Sequence, residues 1–121
     1  MTYLPASDSI NDTETAQDQL PAAIRTYLDP STGAAGISAF KDDAVVTDNG
    51  THYAGREDLL RFLTTTTTEF EFTTTFLRAE SHGDRHVVWN RLEGNFPGGT
   101  VDLKYTFNLE DGLIRTLDIT A

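Results

Sequence analysis

Thr100-Val101-Asp102-Leu103-Lys104-Tyr105-Thr106-Phe107-Asn108-Leu109 alternates apolar and polar residues without a break. A period of two is the mark of a β-strand with one face buried and one wet. The stretches on either side repeat the theme. Pro97-Gly98-Gly99 and Glu110-Asp111-Gly112 are turns, the first preceded by a strand over 86–96 and the second followed by one over 113–119. His82-Gly83-Asp84-Arg85 reads as a hairpin turn. Upstream of it, the five threonines at 64–68 merge into Glu69-Phe70-Glu71-Phe72-Thr73-Thr74-Thr75-Phe76-Leu77. β-Branched and aromatic residues in alternation predict one long strand over 64–77. The second half of the chain is thus an antiparallel meander of four strands.

The first half carries helical spacing. Leu20, Ile24, Tyr27 and Leu28 fall on one face of a helix over 20–28, with Pro21 suited to its first turn. Asp29-Pro30 stops it, because the residue before a proline avoids the α region. Ser31 or Thr32 is placed to cap a second short helix reaching 37–40. A strand over 44–48 ends at the turn dipeptide Asn49-Gly50, and helical spacing returns over 55–63 with Glu57 and Asp58 in the first turn. Helices first and long strands last predict an α+β domain, its helices on one face of a curved sheet.

Composition bounds the rest. The chain has 121 residues and 38% apolar residues, enough for one core in one domain. Residues 1–19 are acidic and poor in large apolar groups, which predicts a flexible lead-in ahead of a single domain over 20–121. No apolar run approaches the roughly 20 residues of a spanning helix, so no membrane role is expected. A net charge of −10 repels phosphate backbones, which argues against nucleic acid. There is no cysteine, and 1–19 lacks the basic start and apolar core of a signal peptide; together these fit a cytoplasmic protein.

Four stretches taken together resemble the nuclear transport factor 2-like superfamily, in its SnoaL-like and ketosteroid-isomerase-like branch. They are Phe40-Lys41-Asp42-Asp43-Ala44-Val45-Val46-Thr47-Asp48, Tyr53-Ala54-Gly55-Arg56-Glu57, Gly94-Asn95-Phe96-Pro97-Gly98 and Phe107-Asn108-Leu109-Glu110-Asp111-Gly112-Leu113-Ile114. The resemblance covers about 20–120. It implies a cone-shaped, cystatin-like roll, in which a mostly antiparallel curved sheet wraps over about three helices. The open end of the cone is a mainly apolar pocket, and polar groups projecting into it carry any chemistry. The family hosts isomerases, cyclases, hydrolases and plain binding modules, so fold alone does not name the function.

Asp48 occupies the position that resembles the general base of ketosteroid isomerases. It shares a strand face with Ala44 and Val46, and a carboxylate in an apolar cone gains basicity by desolvation. The competing reading is that Asp48 caps the Asn49-Gly50 turn. Counted without a gap, the family's helix tyrosine falls on Ile24 and its proton-donating carboxyl group on Leu103. Both donors to a developing enolate are therefore missing, and Tyr27 and Tyr105 are the nearby substitutes. The expected lining is Val46, Tyr53, Phe62, Phe72, Val88, Asn90, Leu103 and Tyr105.

Strand parity in 86–92 has two readings. In one, His86, Val88 and Asn90 face the cone, and Trp89 lies on the outer, dimer-forming face. In the other, a one-residue slip turns Trp89 and Arg91 inward. Asp102 points away from Leu103, to solvent or a dimer face. His52, His82 and His86 show no ligand spacing, so no metal is expected, and no cofactor motif occurs. The expected partners are an apolar small molecule and a second copy in a homodimer. The function classes left are cofactor-free acid–base catalysis of the isomerase, cyclase or hydrolase kind, and a non-catalytic binding or dimerisation module.

Overall fold

A computed structural model describes residues 14–29, 32–68, 72–95 and 97–121, with the backbone alone at 65–68 and 72. Two α-helices, α1 (Ala22–Leu28) and α2 (Arg56–Thr68), and a 3₁₀ helix (Gly33–Ala39) pack on a six-stranded sheet. The strands are β1 (Phe40–Asp48), β2 (Thr51–Ala54), β3 (Phe72–His82), β4 (Arg85–Gly94), β5 (Thr100–Glu110) and β6 (Leu113–Thr120). Their order across the sheet is β2-β1-β6-β5-β4-β3. Only β1 and β6 are parallel, so the sheet is mixed and the class is α+β.

The sheet bends because its ladders are interrupted. Register shifts lie between Phe76 and Arg78, between Asn108 and Leu109, and between Phe40 and Val45. An extra residue on one strand of a pair kinks that strand and increases its twist. The helices fill the resulting concave side. Ile24 and Leu20 of the first helical stretch are 0% and 2% exposed, and Leu59, Phe62 and Leu63 of α2 are buried with them against Val46, Phe107 and Leu117. Fully burying such a side chain is worth about 1.5–3 kcal/mol. This single cluster therefore fixes how the helices sit on the strands. No described helix is long and apolar enough to cross a membrane.

Four local expectations are corrected. The threonines at 64–68 continue α2 and do not begin β3. Buried Leu59, Phe62 and Leu63 anchor the helix ahead of them, and that packing outweighs the modest strand preference of threonine. The second helix is 3₁₀, and Thr32 makes no side-chain cap bond to it; Ser31 and Pro30 lie outside the described residues. β1 starts at Phe40, ahead of position 44. Four-residue β2 follows the Asn49-Gly50 turn as a hairpin partner of β1 that its exposed, weakly patterned sequence does not announce.

Of the lead-in, 1–13 lie outside the described residues. Glu14 bridges Glu80, and the Thr15 amide donates to the Ala79 carbonyl at 2.9 Å, so both are laid along the β3 edge.

Candidate functional site

The ladder registers carry one row of residues across the concave face. Asp48 on β1 is opposite Ile119 on β6, Ile119 is opposite Tyr105 on β5, and Tyr105 is opposite Val88 on β4. Opposed residues share a face, and neighbouring strands lie about 4.8 Å apart, which sets the Asp48 and Tyr105 backbones roughly 10 Å from each other. The adjacent row runs Leu103, Asn90, Phe76. Asn90 is therefore inward and 3% exposed, while Trp89 is half-buried on the opposite face.

Burial grades along this face. Ala44, Ala79, Phe107 and Ile114 are sealed at 0% exposure. Tyr27, Asp48, Tyr53, Phe76 and Leu103 are inward but only partly buried, so the concave side is open at their end. The predicted lining residues divide accordingly. Val46, Phe62 and Val88 are packed into the core, Tyr105 closes on it, and Tyr53, Asn90 and Leu103 approach the open end. The side chain of Phe72 lies outside the described residues.

Aromatic rings floor the site. Tyr27 of α1 stands edge-on to Tyr105 at 6.3 Å and to Phe107 at 5.8 Å between centroids, and Tyr53 tilts over Phe62 at 5.0 Å. Ile24, on which the resemblance places a helix tyrosine, is fully buried. Tyr27, almost one turn later, brings a phenol to the same interior. Sequence spacing names Tyr27 and Tyr105 separately, and only the packing of α1 across β5 shows them together.

These groups perturb one another. Burial raises the Asp48 carboxyl above the usual aspartate value. Burial also raises Tyr27, with added repulsion from Tyr105 and Asp48. Tyr105 is pushed up to about 12 by burial and then by the Asp48 charge, while the polar Asn90 amide nearby pulls it part of the way back. The result is a carboxylate that holds a proton more readily than usual, beside two phenols that stay protonated at neutral pH. Asn49 and Gly50 form the hairpin turn with their own positive φ angles of 47° and 89°. Among the described residues no hydrogen bond from that turn reaches the Asp48 carboxylate.

Other polar groups lie elsewhere. His86 faces inward in the sealed region, where its Nδ1 is 2.7 Å from the Ser81 hydroxyl, which accepts a bond from Thr15 at 2.7 Å. Desolvation lowers its pKa, partly countered by Asp84. Nothing in the sequence links Thr15 to this pair. On the outer face, Arg91 clamps Asp102 with two bonds of 2.7 and 3.1 Å, and Trp89 lies under Arg78 at 4.1 Å and near Lys104 at 5.9 Å. Among the described residues no three metal-ligating side chains converge. A hollow of about 520 Å³ sits on the helical side, lined by Gln17, Asp18, Leu20, Arg25, Leu28 and Asp29, none of them a predicted site residue.

No model of a known protein family matches the chain, and no curated protein matches it. Solved structures do. A candidate polyketide cyclase from Sinorhizobium meliloti is 29% identical and superposes with a TM-score of 0.79, covering 88% of this chain and 100% of that one. A protein of ketosteroid isomerase-like fold from Catenulispora acidiphila, solved with trimethylamine, is 19% identical at a TM-score of 0.72, over 84% and 85% of the two chains. A candidate SnoaL-like polyketide cyclase from Jannaschia is 20% identical at 0.67, over 81% of each.

Proposed function

We propose that this chain, which has the nuclear transport factor 2-like fold shared with SnoaL-like and ketosteroid isomerase-like proteins, binds an apolar small molecule at the open end of the cone and moves a proton on it without a cofactor. Asp48 is the base. The observation that carries the reading is its position: inward, partly desolvated and raised in pKa, on the same interior face as Tyr105. In the proposed step the Asp48 carboxylate removes a proton from carbon next to a carbonyl, and the electron pair moves onto the carbonyl oxygen. A protonated tyrosine then stabilises that oxygen by hydrogen bonding. A well-placed donor of this kind is typically worth about 3 kcal/mol, and Tyr27 and Tyr105 supply the donors that Ile24 and Leu103 cannot. Isomerase, cyclase and hydrolase chemistry all fit this arrangement, as does action in the cytoplasm for a chain without cysteine.

The test is exchange of the α-protons of 2-tetralone, an apolar enolisable ketone, for deuterium in D₂O. The wild type should accelerate exchange and Asp48→Asn should lose about 10²-fold or more of that acceleration. Equal rates for the two proteins would remove Asp48 as base. Retained 2-tetralone binding with no exchange by either protein favours a second reading, a binding module of the same fold. We also propose a homodimer through the outer face, on the ground that Trp89 is a large aromatic residue left half-buried there, flanked by Arg78 and Lys104.

A further inference from the structure

Strand β3 ends the sheet, and its outer edge is met by the segment at residues 14–15. Glu14 bridges Glu80, and the Thr15 amide donates to the Ala79 carbonyl at 2.9 Å. The bridge sets two carboxylates directly opposite one another, a pairing that opposes docking, and Arg78 offsets it by holding Glu80 at 2.6 Å. The attachment is favoured on the other face. Antiparallel parity puts Thr15 with Ala79 and Ser81 on the inner side of β3, and Ser81 is opposite His86 on β4. The Thr15 hydroxyl is 2.7 Å from that of Ser81, and the Ser81 hydroxyl is 2.7 Å from His86 Nδ1. With the imidazole neutral, each hydroxyl donates once along this row, Thr15 to Ser81 and Ser81 to Nδ1.

His86 is only 8% exposed, and Thr15 sits two hydrogen bonds from its ring, so docking takes water away from the Ser81–His86 pair. The surroundings offer a charged ring little in exchange. Phe107 faces it from β5, with Tyr105, protonated at neutral pH, next on that face. Glu80 and His82 of β3, Arg85 of β4 and Glu14 all lie on the outer side, and Asp18 in the short turn of Gln17–Gln19 is exposed. Asp84, in the hairpin turn, is the one carboxylate among the described residues that acts on the ring, and burial outweighs it. A proton on Nδ1 reverses the row and leaves a cation that the docked segment keeps from water. Docking and protonation therefore oppose each other, and by linkage each weakens the other by the same factor.

We infer that the Thr15–Ser81–His86 row is an acid-sensitive latch, which holds residues 14–15 on the β3 edge while His86 is neutral and releases them when His86 is protonated. It does not depend on what the cone binds. The latch is held fully above the ordinary histidine value of about 6.5. It weakens as pH falls below that value, by at most about ten-fold per pH unit, until the lower value of the docked state is passed.

The test is amide hydrogen exchange by NMR on the full chain, with the intrinsic pH dependence of exchange divided out. From about pH 7.5 to 5.5, protection of the Thr15 amide should fall by about three-fold or more, while that of Val88 in the middle of β4 stays level. In His86→Gln, which can still meet Ser81 but does not titrate, protection at Thr15 should not vary with pH. Reciprocity supplies a second readout that leaves the histidine in place. Thr15→Pro deletes both the amide donor and the hydroxyl, and the His86 pKa, followed by its ring-carbon shift, should rise toward about 6.5. Level protection at Thr15 across the range in wild type would overturn the latch. So would a fall that persists in His86→Gln, which assigns the proton to another group, or a parallel fall at Val88, which makes the event global unfolding. A His86 pKa left unchanged by Thr15→Pro would show docking and protonation to be uncoupled, and would overturn it independently.

Discussion

The Asp48 carboxyl group is held by surroundings that disfavour its charge, and stability must then depend on its titration. Burial raises its pKa in the folded chain above the unfolded value. Between those two values the folded state binds more protons than the unfolded one, so stability falls as pH rises through the window and stays lower above it. Asp48→Asn, which keeps the shape and removes the charge, should melt at a higher temperature than wild type at pH 7. The difference should close at pH 3, below both pKa values. A variant less stable at pH 7 would show the carboxylate to be favourably paired. Tyr105 offers a parallel check: with its pKa near 12, ultraviolet titration should leave it protonated after exposed phenols have ionised. Loss of the last phenol at pH 10 would contradict its burial.

At the scale of elements, the strands were legible where alternation was clean and obscure where packing decided. Val101, Leu103, Tyr105 and Phe107 announce β5 because one face is core and the other is not. The same parity put Asp48 with Val46, and Asn90 with Val88, on the concave side. The threonines at 64–68 misled because β-branched residues favour strands locally, while the helix they extend is held by leucines and a phenylalanine earlier in α2. Alanine at both 66 and 67 should therefore stabilise the protein by about 1 kcal/mol through helix propensity, measured by chemical denaturation. Destabilisation would restore the strand reading. The docking of Thr15 on β3 was equally hidden, since its partners Ala79 and Ser81 are distant in sequence. Thr15→Val deletes the donor to Ser81 and should cost about 1 kcal/mol, with faster hydrogen exchange at the amide of residue 15. Unchanged exchange would detach that segment from the sheet.

Across the whole molecule, a net charge of −10 coexists with a charge-paired strip around Trp89 on the outer sheet, where Arg78 meets Glu80, Arg91 meets Asp102 and Lys104 lies near the ring. If that strip is the dimer face, light scattering at tens of micromolar should report twice the 13.4 kDa chain mass, and Trp89→Glu should return it to one. A wild-type monomer would leave the strip without that role. The fold could be read from its sequence because its order of elements and its alternation point the same way. The convergence of Tyr27, Tyr105 and Asp48 could not, because it depends on how α1 lies across β5 and β1. The claim on which the rest depends is that Asp48 is an inward, desolvated base. A pH titration of its carboxyl carbon by ¹³C NMR tests that most directly. The account predicts a pKa above the ordinary ~3.9 of aspartate, in contrast to Asp102, which Arg91 holds below the usual range. A value for Asp48 at or below 3.9 would contradict it.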